Sequence, residues 1–136
     1  MVEYSGIALE EALVQAMEKI EDLQGRVCPV VEIHKNTGPL VVYDQRREAD
    51  EQDMDGNADL LSAQFDIHAL HNTYKKMRLL SEDVKAILNR LAGVNKPPLL
   101  IEAVIVEQAT PDLYEEKAQL FRRTYTVKIL YQITEE

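Results

Sequence analysis

From Leu120 to Ile133 the residues alternate strictly. Phe121, Arg123, Tyr125, Val127, Ile129, Tyr131 and Ile133 fall on one face, and Leu120, Arg122, Thr124, Thr126, Lys128 and Gln132 fall mostly on the other. Period-two alternation marks a strand with one buried and one wetter face. Leu61 to Ala69 repeats the pattern, with Leu61, Ala63, Phe65, Ile67 and Ala69 inward and Ser62, Gln64, Asp66 and His68 outward. Leu99 to Gln108 predicts a third strand, apolar on both faces around Ile101, Ala103, Val104, Ile105 and Val106. Such a strand suits the centre of a sheet, or a place under a helix or partner. Val27 to Ile33 is a shorter apolar run in which Pro29 lacks a ladder donor, which suits an edge or a bulge. Asn36-Thr-Gly-Pro39 is turn chemistry, and Leu40-Val-Val-Tyr43 reads as the returning strand.

Two segments carry the helical period instead. Ile7, Leu9, Leu13, Ala16, Met17 and Ile20 predict a helix capped by Ser5, running to about Leu23 and stopping near Gly25. Glu10, Glu11, Glu18 and Lys19 stay on its outer side. Met77, Leu80, Val84, Ile87, Leu88 and Leu91 mark a second amphipathic helix over Thr73–Leu91, with Asn72 as cap and Gly93 past its end. Lys96-Pro-Pro98 breaks the pattern before the third strand, and Thr110-Pro111-Asp112 turns the chain before the last. The resulting order, α-β-β-β-α-β-β, predicts one α+β domain over residues 1–136. Its simplest architecture is a mainly antiparallel sheet of about five strands with two helices packed on one face.

Asp44 to Asp59 fits neither period. It holds seven acids against Arg46 and Arg47 and reads as a long acidic loop; loops beyond about 12 residues tend to be functional or disordered. Glu51, Asp53, Asp55 and Gly56 resemble the start of a calcium loop, but Ser62 stands where the bidentate glutamate is needed, and a strand precedes the segment. A solvated acidic loop is the better reading. His68 and His71 straddle a predicted strand end without placed partners, so they are a poor zinc pair.

The formal charge of −9 argues against a broad nucleic-acid surface, which needs a basic patch. With 46% hydrophobic residues in 136, the chain carries enough apolar material for a real core. Cys28 is the only cysteine, which excludes an internal disulfide framework and suits a small buried residue. The start of the chain lacks the pattern of a signal peptide, and no apolar run reaches membrane-spanning length, so neither secretion nor a membrane is expected. No phosphate-cradling loop, nucleophile elbow or dinucleotide pattern occurs, and no acid pair is tied to an apolar pocket. Neither catalysis nor a cofactor is expected. Arg122 and Arg123, beside Phe121 and Tyr125, form the densest cationic and aromatic spot. They read either as partners of nearby acids such as Asp112, Glu115 or Glu116, or as arginine anchors at a subunit interface.

Three segments together resemble a family of tailed-phage tail-completion proteins, the tail-terminator type. They are Gly38-Pro-Leu-Val-Val-Tyr43, then Leu61-Ser-Ala-Gln-Phe-Asp-Ile-His-Ala69 followed by Thr73-Tyr74 and a helix, and finally Asp112-Leu-Tyr-Glu-Glu-Lys117 leading through Phe121-Arg122-Arg123 into the tyrosine-rich strand. With the first helix the resemblance spans about residues 5–133; the long acidic segment after Asp44 departs from it. It implies a structural protein without an active site, made in a bacterial host cytoplasm and residing in the virion tail. Such proteins assemble as a ring, typically of six copies, that terminates the tail tube and presents the surface docked by the head. The partners implied are further copies of the chain, the tail tube protein and head–tail connector proteins, with no sequence-specific nucleic acid and no membrane. The expected interface residues are Arg122, Arg123, Asp112 and Tyr114, with Asp53 and Asp55 in the acidic segment facing a lumen or an adjoining ring. A small bacterial adaptor that binds a protein through a sheet edge is the alternative, and a metal-dependent enzyme a distant third.

Overall fold

The two cleanly alternating segments pair with each other along twelve residues. β3 (Leu60–His71) and β7 (Leu120–Ile133) form an antiparallel ladder from Leu60↔Gln132 to His71↔Phe121 without a break in register. An unbroken register keeps every inward residue of both strands on one face. On that face Phe65, Ile67, Val127, Ile129 and Tyr131 are fully buried. The computed structural model describes residues 5–20, 23–29, 38–51, 60–96, 99–108, 111–116 and 118–133.

Around this spine the sheet is built outward. β2 (Leu40–Glu51) lies antiparallel to β3, and the short β1 (Val27–Pro29) lies beyond it. β5 (Leu99–Gln108) flanks β7 on the other side, and β4 (Asn95–Lys96) covers its beginning. β6 (Leu113–Glu115) pairs with the start of β7. The order is β1-β2-β3-β7-β5-β4, so the sheet is mainly antiparallel, as expected. Its seven strands exceed the expected five because β4 and β6, of two and three residues, are too short to leave a period.

Both helices pack on the inward face. α1 (Ser5–Met17) contributes Leu9, Leu13 and Met17, all fully buried. It ends sooner than its apolar period suggests; successive backbone turns then lead to Leu23, and Gly25 takes φ +74°. α2 (Tyr74–Arg90) buries Met77, Leu80, Val84 and Leu88 at helical spacing. Its N-cap is Thr73 rather than Asn72: the Thr73 hydroxyl accepts from the Lys76 N–H at 3.2 Å. Asn72 instead uses its side-chain oxygen to accept from the Gly38 N–H at 3.0 Å. Gly38 has no substitute there, since a Cβ would lie 2.7 Å from the His71 Cα. Thr73→Ala is expected to lower the unfolding free energy by about 1 kcal/mol, read as a shifted denaturation midpoint with unchanged slope.

Three further expectations are corrected. First, residues 44–51 are not loop. They continue β2 and pair with β3 as far as Glu51↔Leu60, with one extra residue between Gln45 and Arg47. Charged residues hide a strand from hydrophobic periodicity, and the bulge breaks what alternation is left. Only residues 52–59, with Asp53 and Asp55, fall outside the described residues. Second, β1 and β2 run parallel, Val27↔Val41 to Pro29↔Tyr43, so they are not a hairpin. The Val41 N–H donates to the Arg26 carbonyl, and the Arg26 Nε–H donates to the Pro39 carbonyl, tying the two strand starts together. Third, the chain does not reverse at Pro111. β5 and β6 lie in succession along the same side of β7, Gln108 facing Tyr125 and Leu113 facing Arg122. Reversal comes after Glu115, where Gln119 takes φ 58° and its N–H donates to the Glu115 carbonyl.

The face away from the helices is mostly polar but not bare. Leu40, Val42, Leu70, Ala118 and Leu120 form a small second core there, with Cys28 half-buried against it. Burial pushes the Cys28 thiol above its usual range, which keeps it protonated at neutral pH.

Candidate interaction surface

Asp112, just ahead of β6, is tied to β7 through its carboxylate. Asp112 receives the Arg123 Nε–H at 2.7 Å on one oxygen and the Arg123 Nη2–H at 2.8 Å on the other. The side chains are only 12% and 17% exposed, so this is a bidentate pair set largely into the protein. Tyr74, at the start of α2, donates its hydroxyl to Asp112 at 3.2 Å, and Arg78 one turn later donates to the Tyr74 oxygen. The Arg123 guanidinium beside Asp112 holds its carboxyl below the usual range, and Asp112 in turn raises Arg123.

Aromatic rings gather on the same spot. Phe121 lies edge-on to Tyr74 with centroids 6.1 Å apart, and Tyr114 tilts against it at 4.8 Å. Tyr74 and Tyr114 each leave close to half their surface in solvent, and Leu113, equally exposed, lies opposite Arg122 on the other face of the sheet. Exposed tyrosines beside an arginine are a composition enriched at protein interfaces. Along the chain β5 extends this surface, with half-exposed Ile105 on the polar face of the sheet and Val104 and Val106 at the rim of the main core.

The structure thus brings Arg123, Asp112 and Tyr114 together and sets Arg122 apart. Arg122 lies on the opposite face of β7, where it pairs with Glu115 at 2.8 Å. Both arginines have acids of their own chain as partners. Tyr74 and Arg78 belong to the cluster but were missed by the sequence reading. Their spacing of four on one helix was visible, but nothing in the chain placed that helix start beside Asp112. β5 also lies further out than the centre of the sheet, with β4 covering only Leu99 and Leu100.

His68 and His71 sit three apart in one strand, which sends them to opposite faces. They cannot share a metal ion. Among the described residues, no three His, Cys, Asp or Glu side chains are placed to hold one. His68 contacts the Thr124 hydroxyl through Nδ1 at 2.8 Å, and burial followed by the nearby Arg122 lowers its pKa, against the opposing pull of Asp66, Asp44 and Glu115. A histidine held neutral in the fold but free to charge when unfolded destabilises the fold in acid. Stability is therefore expected to fall as pH drops below the ordinary histidine value of about 6.5. His68→Gln should flatten that part of the stability–pH curve, as read by urea unfolding between neutral and mildly acidic pH. No helix among the described residues is long and apolar enough to cross a membrane.

No protein-family model matches the sequence, and no curated protein matches it. A solved structure does: a chain described as "Virion of native gene transfer agent (GTA) particle" superimposes with a TM-score of 0.66. The match covers 88% of this chain and 91% of that chain at 16% sequence identity. The two chains share a fold. The likeness runs nearly end to end in both, so it concerns the whole domain rather than a common supersecondary piece.

Proposed function

We propose that the chain is a structural protein of a phage or phage-like virion. More narrowly, it assembles as a ring, with six copies the expected number, at the head-proximal end of the tail tube. There it ends the tube and forms the surface that the head connector docks. The observation that carries this reading is the end-to-end fold likeness to a chain of a gene transfer agent virion, at matched length. The three segments that resemble tail-terminator proteins add the position in the tail. The arginine–tyrosine cluster around Asp112 and the β5 side of the sheet supply surface for contacts with neighbouring copies and with tube subunits. The acids at 53 and 55 fall between β2 and β3 in the sequence, and in this reading they meet the lumen or an adjoining ring.

The test is to mix the purified chain with preformed tail tubes from the same genome and image them by negative-stain electron microscopy. A ring at one tube end only is the expected result. Binding along the tube wall, or at neither end, would overturn the assignment. The adaptor reading draws on the unfinished side of β5; a stable one-to-one complex with a non-virion host protein, without rings on tubes, would favour it.

A further inference from the structure

The outer side of β5 is unpaired past Ile101 among the described residues. The Gly93 N–H donates to the Ile101 carbonyl at 2.8 Å, and the Ile101 N–H donates to the Val94 carbonyl at 2.9 Å. Ile101 therefore turns its backbone groups away from β7. One extra residue follows: Ile101 faces Tyr131 and Ala103 faces Leu130. Past that bulge the alternation of an antiparallel ladder resumes with Ala103 and Ile105 bonded toward β7 and the N–H and C=O of Val104 and Val106 directed outward. No strand among the described residues meets them.

The side chains on this stretch are apolar on both faces. Val104 and Val106 are half-buried on the helix side, and Ile105 is 50% exposed on the other. The opposite side of the sheet behaves differently. Residues 44–51 of β2 also lack a strand beyond them among the described residues, but six of those eight are charged and a bulge interrupts them. Charges and bulges are the usual means of keeping an edge from pairing. Residues 103–106 have neither.

We infer that the β5 edge docks the β5 edge of a second copy of this chain, antiparallel, about a two-fold axis at Ile105. In that register Ile105 meets Ile105, and Val104 of each copy lies opposite Val106 of the other on the helix side. Each Val104–Val106 pair has both backbone groups directed at the other strand and exchanges both hydrogen bonds. Glu107 lies opposite Ala103, and Glu102 opposite Gln108, so no acid faces an acid despite the −9 charge of each chain. Moving the axis to Val104 gives one self-paired valine and sets Glu102 against Val106, losing part of that match. The pairing saturates both edges and closes on itself, whereas a ring needs head-to-tail contacts. It goes beyond the ring reading and does not depend on it: it describes the free chain, held out of rings until the edge is released.

The experiment uses the full chain carrying Cys28→Ser, with single cysteines introduced at Ile105 or Glu107. At the axis the two Cα atoms sit about 4.5 Å apart as a non-hydrogen-bonded pair, within disulfide reach. The Ile105→Cys protein is expected to cross-link to a dimer on mild oxidation, and Glu107→Cys is not. Sedimentation of the uncross-linked parent should show a doubling of mass as concentration rises. Ile105→Lys, a change at an exposed position, should stay monomeric with unchanged circular dichroism. A parent that is monomeric throughout, or equal cross-linking at both positions, would overturn the inference. A larger head-to-tail species would overturn it while leaving the ring reading intact, and dimers that never place rings on tubes would count against the ring reading alone.

Discussion

Phe65→Ala is expected to lower the unfolding free energy by about 3–5 kcal/mol, against a total of about 5–15 kcal/mol for a domain. Phe65 is fully buried in β3, opposite Val127 on one side and Gln45 on the other, and meets the Tyr43 ring edge-on with centroids 6.4 Å apart. It belongs to the same core as Leu9 and Leu13 of α1 and Val84 and Leu88 of α2, so a truncation there is felt by both layers. The central ladder cannot collapse onto the gap, because β3 is held by β2 and β7 along its whole length. Urea unfolding followed by circular dichroism gives the number. A cost under about 1 kcal/mol, the scale of a well-tolerated swap, would mean that the site repacks and that the spine is softer than its register implies.

Phe65 was legible from the chain alone, and the reason is physical. Central strands with one dry face must alternate, and an amphipathic helix must repeat at its own period, so β3, β7 and α2 announce themselves. The segments that misled are those whose backbone bonds do the work without apolar side chains. Residues 44–51 form a strand because β3 offers a ladder, not because their side chains want one. β4 and β6 are too short to show any period. The parallel pairing of β1 with β2 depends on the residues between them, and turn chemistry at Asn36 to Pro39 says only that the chain bends.

The surface around Asp112 was half legible. Arg123 and its neighbouring acids were plain in the sequence, and so was the choice between an internal ion pair and an exposed anchor. Deciding that choice needed a fact no local pattern holds: β5 and β6 both pair along the same side of β7, leaving Asp112 directly beside Arg123. The arginine then has a structural task, and the exposed rings of Tyr74 and Tyr114 become the part of the cluster available to a neighbour. Nor does the internal pair remove the surface from use, because Asp112 also accepts from the Tyr74 hydroxyl and so fixes one of the exposed rings.

Asp112→Ala is expected to cost about 2–3 kcal/mol, between a charge-assisted hydrogen bond and a fully buried ion pair. The change leaves the Arg123 guanidinium, 12% exposed, without its bidentate acceptor, and it takes the acceptor from the Tyr74 hydroxyl as well. Removing both charges should cost less than the two single changes added together. Asp112→Ala/Arg123→Met, compared with each single variant, isolates that coupling, which is expected at about 1.5–3 kcal/mol, the upper range for residues in direct contact. The pH dependence has a definite sign. The Asp112 carboxyl is held below its ordinary value by Arg123, so the folded state prefers it ionised. Its contribution is fully present above the unfolded aspartate value of about 3.9 and is lost as pH falls through the lower folded value. Below that range wild type and Asp112→Ala should converge in stability. If instead the gap between them stayed constant into strong acid, the carboxylate charge would not be what holds Asp112 to Arg123, and the hydrogen bonds of a neutral side chain would have to do so.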